Sequence, residues 1–102
     1  MKLINQELAK QIPALYSQEH NTNPMVYVIF SAPWSHWIWY VTEFDGKDFC
    51  FGFVQGDYDE WGYFSVSELE SVTGPGGQKI EREPYFTPEP IKQLLGEDFD
   101  KD

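Results

Sequence analysis

Residues 25–55, MVYVIFSAPWSHWIWYVTEFDGKDFCFGFVQ, decide the fold, because three apolar, β-favouring runs follow one another with only short turns between them. The middle run, 36–44 (HWIWYVTEF), is joined to the third, 48–55 (DFCFGFVQ), through Asp45-Gly46. That dipeptide readily supplies the positive φ angles of a two-residue type I′ turn, so a hairpin is expected there. Side chains alternate along a strand. His36, Ile38, Tyr40, Thr42 and Phe44 should therefore share one face, and Trp37, Trp39, Val41 and Glu43 the other. In the third run Phe49, Phe51 and Phe53 form a bulky side, and Cys50, Gly52 and Val54 a slim side that a helix or ring can approach closely. The first run, 25–32, is almost continuously apolar, as expected of a strand covered on both faces.

Upstream, Ile4, Leu8, Ile12 and Leu15 recur at helical spacing, with Asn5 as N-cap and Pro13 as the stop. Residues 16–24 (YSQEHNTNP) carry no periodicity and read as a loop. Downstream, 56–60 (GDYDE) is an acidic turn and 61–64 (WGYF) a fourth short strand. Ser65 and Glu68 match a capping box that starts a short helix, with Ser67 and Glu70 as the alternative register. Residues 73–77 (TGPGG) form a loop that lacks the Gly-Lys-Ser/Thr ending of a phosphate loop. Residues 79–86 (KIEREPYF) suit an edge strand limited by Pro84. Ile91, Leu94 and Leu95 give one helical turn ended by Gly96. The expectation is an α+β domain over 1–96, an antiparallel meander of four to five strands with an N-terminal helix and short helices packed on it. Residues 97–102 (EDFDKD) follow as an acidic tail, expected to be disordered.

Seventeen acidic residues against seven basic ones leave a formal charge of -10. Such a balance disfavours direct binding to duplex DNA, which depends on Lys and Arg displacing counterions from phosphate, and favours a basic partner. With 18% aromatic residues the chain is nonetheless a folded one. The single cysteine, Cys50, excludes an intramolecular disulfide and fits a reducing cytoplasm. No run of eighteen apolar residues and no export signal is visible, so no membrane association is expected.

Several familiar catalytic arrangements are absent. Cys50 sits between phenylalanines and reads as a core thiol; no serine lies in a GxSxG elbow; His20, His36 and Cys50 are too scattered for zinc. His36 reads as a ring packed among tryptophans. No catalytic residue, metal ligand or cofactor is assigned. Two features point to binding. Glu43, Asp45, Asp48, Asp57, Asp59 and Glu60 are expected to form one acidic patch at the hairpin end, with Glu81, Glu83 and Glu89 as a second. Of the aromatic surplus, Trp37, Trp39, Phe51 and Phe53 are read as covered by helices, while Trp34, Tyr58 and Trp61 lie in turns and are the candidates for contact.

A resemblance extends over residues 3–90. It is carried by LYSQE at 15–19, Tyr27, Trp37, Trp39, Tyr40, EFDG at 43–46, Gly52, GYFS at 62–65, SELE at 67–70 and IER at 80–82. The chain is identified by these as similar to the bacterial family known as domain of unknown function twenty-nine fifty-eight. The resemblance implies a setting on plasmids, phages and integrative elements, and no activity, cofactor or site residue.

The function expected is that of a non-enzymatic acidic binding protein of a mobile element. It would occupy a basic surface of a nucleic-acid-processing or defence protein, in concrete form as a DNA mimic against CRISPR or restriction. The plain alternative is that the charge serves solubility alone. Two further alternatives are an accessory protein stacking single-stranded bases on Trp34, Trp37 or Trp61, and a metal-dependent hydrolase using the 56–60 turn. Oligomeric state is not read from the sequence.

Overall fold

The computed structural model describes residues 2–99. The chain runs α1 (Gln6–Gln11), β1 (Met25–Val26), β2 (Val28–Ser31), β3 (Ile38–Phe44), β4 (Phe49–Gln55), β5 (Asp59–Ser65), α2 (Val66–Ser71), β6 (Glu81–Arg82), β7 (Glu89–Pro90) and α3 (Ile91–Leu95). Strands β2 to β6 form one antiparallel five-stranded sheet in the order β5-β4-β3-β2-β6. The expected meander is its body, and the expected edge strand is β6, held by Phe30↔Arg82 and Ser31↔Glu81. A radius of gyration of 13.1 Å matches the value of about 13 Å for one compact unit of this length.

One sheet face is covered by α1, α2 and the N-terminal segment. Val28, Phe30, Trp39, Val41, Phe44 and Cys50 pack there against Leu3, Ile12, Val66 and Leu69. On the opposite face Tyr40 and Phe53 pack with Val26 and Ile91, and Trp61, Leu94, Leu95 and Phe99 close around them. Phe99 belongs to the segment read as an acidic tail. Its ring meets Phe53 edge-on at 4.8 Å and lies 6.1 Å from Trp61, because burying an aromatic side chain outweighs the pull of its charged neighbours toward water. The last three residues of that tail lie outside the described part of the chain.

Both helix starts follow their capping signals. Asn5 Oδ1 accepts from the Leu8 amide, and Ser65 Oγ accepts from the Glu68 amide. The alternative register is not used, since Glu70 instead accepts from the Leu3 amide at 2.8 Å. Gly96, at φ 108°, terminates α3.

Three local departures shape the surface. First, the alternation in β3 breaks: the register against β4 shifts between Val41 and Glu43, which turns Phe44 onto the face of Trp39 and Val41 and Glu43 onto that of Phe51. Second, the apolar run 25–32 is split. Met25–Val26 leaves the large sheet to pair with Glu89–Pro90, and the carboxamide of Gln18 fills the gap. Its Nε2 donates to the Met25 and Thr42 carbonyls at 3.0 and 2.9 Å, and its Oε1 accepts from the Met25 amide at 2.7 Å. Third, the β3–β4 connection is longer than a two-residue turn. Only Gly46 takes a positive φ there, because the Asp45 carboxylate accepts from the amides of Lys47, Asp48 and Phe49 and holds a wider loop.

Candidate binding surface

The acidic residues read from the sequence as one patch fall at opposite ends of the sheet. Asp45 and Asp48 lie in the β3–β4 loop, and Asp57, Asp59 and Glu60 at the β4–β5 turn. The seven residues of β4 run between them, a separation of about 20 Å at the usual rise per residue. An antiparallel hairpin followed by another necessarily places its successive turns at alternate ends.

Three of the carboxylates are committed to the fold. Glu43 is 3% exposed, and its two oxygens accept from the amides of Tyr16 and Gln18 at 2.7 and 2.8 Å. It is an internal clamp on the 16–24 loop rather than a surface charge. Asp45 closes its own loop; loss of solvent opposes its charge, but the three amide bonds together outweigh this and hold the carboxyl below its ordinary value. Asp48 accepts from the Ser65 hydroxyl, from the Ser67 amide at 2.8 Å and from the Ser67 hydroxyl at 3.0 Å, tying the β3–β4 loop to the start of α2. The Ser65 hydroxyl is the main reason its carboxyl also lies below the usual range, with the Ser67 amide next.

At the other end, Asp57, Asp59 and Glu60 are exposed and flank Tyr58, which is 83% exposed. The turn is anchored from beneath. His36 is not packed among the tryptophans as expected; it is exposed, and its Nε2 lies 3.2 Å from the Gly56 carbonyl. The ring of Trp37 lies over Gly56, where a Cβ would sit 2.5 Å from it. Trp34 and Trp61 are half-buried. The indole of Trp34 lies against Gly74, and Trp61 stacks on Phe51 at 5.7 Å with 16° between planes. Glu81 and Glu83 lie at the sheet edge and Glu89 on the separate β1–β7 pair, so the second expected patch is also divided. Burial, with the charges of Asp45 and Asp48 next, pushes the Cys50 thiol far above its ordinary value, which suits a core thiol and not a nucleophile. Among the described residues, no three His, Cys, Asp or Glu side chains stand together in a ligand arrangement. No helix among them is long and apolar enough to cross a membrane.

Sequence reasoning missed a second surface feature. Where α3 and Phe99 stop covering the sheet, a shallow cavity of about 180 Å³ is lined by Tyr16, Glu19, Glu43, Phe51 and Tyr63. Phe51 and Tyr63 are cross-strand partners on β4 and β5, their rings 4.9 Å apart and inclined by 59°. Tyr16 and Tyr63 are 63% and 53% exposed. Interaction with the Tyr16 side chain, then burial, then the charges of Glu43 and Glu19 hold the Tyr63 proton more tightly than usual. Tyr16 has φ 73°, a left-handed backbone that costs an L-residue roughly 1–2 kcal/mol. The Phe51–Tyr63 pairing follows from the strand pattern once the register is known; nothing local in YSQEH marks Tyr16 as its neighbour.

The fold and these two features define a class: a small α+β domain on an antiparallel sheet, carrying carboxylates and aromatic rings at an exposed turn and a cleft. The chain belongs to the family described as Protein of unknown function (DUF2958), whose model matches residues 2–94. No curated protein and no solved structure matches the chain.

Proposed function

We propose that this is a non-enzymatic acidic binding protein of a bacterial mobile element or phage, acting in the cytoplasm by occupying a basic surface of a nucleic-acid-processing protein. Its concrete form is a DNA mimic that blocks a CRISPR or restriction enzyme. The observation that carries the reading is the β4–β5 turn. Asp57, Asp59 and Glu60 are exposed around the projecting ring of Tyr58, whereas Glu43 is buried and Asp45 and Asp48, although at the surface, accept hydrogen bonds from the protein's own amides and serine hydroxyls. Three carboxylates around one exposed tyrosine suit a contact that combines charge steering with an aromatic anchor. The formal charge of -10 extends the same field over the molecule. The mobile-element setting is the one the family resemblance implies.

The test is purification of the tagged protein from bacteria carrying defence systems, with nuclease treatment and a graded salt wash. A basic nucleic-acid enzyme retained through nuclease and released by salt is expected. The variant combining Asp57→Asn, Asp59→Asn and Glu60→Gln should weaken that complex at least tenfold. Retention of nucleic acid alone, or a complex indifferent to the triple substitution, overturns the proposal.

A further inference from the structure

The cleft beside β5 has its own chemistry. Three aromatic rings, Tyr16, Phe51 and Tyr63, border it together with the carboxylates of Glu19 and Glu43. Ring faces are electron-rich and attract a cation placed over them, more strongly where water is partly excluded. Glu43 adds a charge that is almost fully removed from solvent, so its field reaches the cleft with little screening. The electrostatic character is registered at Tyr63, whose hydroxyl feels both Glu43 and Glu19. A cavity of about 180 Å³ has room for the compact head of one side chain. The strained Tyr16 backbone presents an aromatic ring mostly to water, an arrangement that costs stability and serves no core.

The kind of cation follows from how Glu43 is used. Each of its oxygens already accepts one amide, from Tyr16 and from Gln18. A planar guanidinium fork would have to share both of these oxygens with the amides, whereas a compact ammonium needs only the field and the ring faces. We propose that this cleft receives an alkylammonium group, the ε-ammonium of a lysine side chain. The assignment rests on the reading of a basic protein partner only for where that lysine comes from.

The experiment is titration of the purified protein with n-butylammonium chloride at constant ionic strength, followed through the tyrosine ring resonances. Saturable shifts at Tyr16 and Tyr63 are expected with butylammonium and not with n-butanol. Tyr16→Gly removes one ring while relieving the positive φ, so the variant should fold at least as well, and Tyr63→Thr keeps a strand-favouring residue. Each is expected to weaken butylammonium about two- to fivefold or more, the range of one cation–ring contact. Equal shifts with butanol, or unchanged affinity in both variants, overturn the cleft. Tighter binding of guanidinium or tetramethylammonium than of butylammonium overturns the lysine assignment. Butylammonium binding without any retained basic protein would leave the cleft standing and remove the proposed function; a salt-sensitive complex without butylammonium binding would do the reverse.

Discussion

Gly52 shows how tightly single positions in this sheet are set. It pairs with Val41 on one side and Gly62 on the other, next to the register shift of β3 between Val41 and Glu43. A Cβ on Gly52 would lie 1.9 Å from the Tyr40 carbonyl oxygen, a backbone atom that cannot swing aside. Gly52→Ala should therefore destabilise by about 1–3 kcal/mol or more, the range for forcing atoms into a packed interior. Urea denaturation would check this, and a midpoint unchanged from the parent would show that β3 relaxes freely. Tyr16 is the opposite case. There the backbone angle suits glycine and the side chain is what is retained, so the residue is argued by its ring and not by its contribution to folding.

At the scale of elements, two segments without regular structure are held by single polar side chains. Gln18 bridges β1 and β3 where their own ladder is interrupted. Replacing it by alanine leaves the Met25 amide and the Met25 and Thr42 carbonyls without that partner, and unsatisfied groups cost about 1–3 kcal/mol each when water cannot reach them. With partial solvent access, Gln18→Ala should lower stability by about 2–3 kcal/mol. Hydrogen exchange at the Met25 amide should accelerate before that at the β4 amides. Asp48 does the corresponding work at the start of α2. Its folded pKa is depressed, as is that of Asp45, so both support the native state above the unfolded carboxyl value of about 4. That support is lost as pH falls from about 4 through their lower folded values. Asp48→Asn should lower the melting temperature at neutral pH and flatten its decline below about pH 4. A variant with the parental acid profile would assign the acid sensitivity elsewhere.

Across the whole molecule, the two sheet faces divide the work. The face under α1 and α2 is closed by aliphatic and aromatic packing around Phe30, Val41 and Cys50. The other is closed only over Tyr40, Phe53 and Trp61, by α3 and Phe99, which leaves the Tyr63 end open. The exposed acidic turn and the open cleft thus lie apart on one hairpin, Asp59 and Tyr63 being four residues apart along β5, and a partner engaging both must span roughly 13 Å at the usual strand rise. Such a partner's affinity should fall with salt through Asp57, Asp59 and Glu60 and less through the cleft, where the buried Glu43 carboxylate is out of reach of screening ions.

Much of this architecture was legible in the amino-acid order because it rests on local rules. Period-two runs, Asn5 and Ser65 as caps, Pro13 as a stop and Gly96 as an end each act within a few residues, and they yield the meander, its edge strand and the helices. Family membership was legible for the same reason, through aromatics and glycines in a set order. The β3 irregularity, the escape of Met25–Val26 to Glu89–Pro90, and the reach of Glu43 and Gln18 to distant backbone were not legible, since each pairs groups far apart in the chain. That is also why the acidic patch divided. Sequence by itself determined how many carboxylates the protein has and on which turns and strands they lie; tertiary structure alone decided which of them face solvent, because a buried amide takes any acceptor the fold brings within reach before water can.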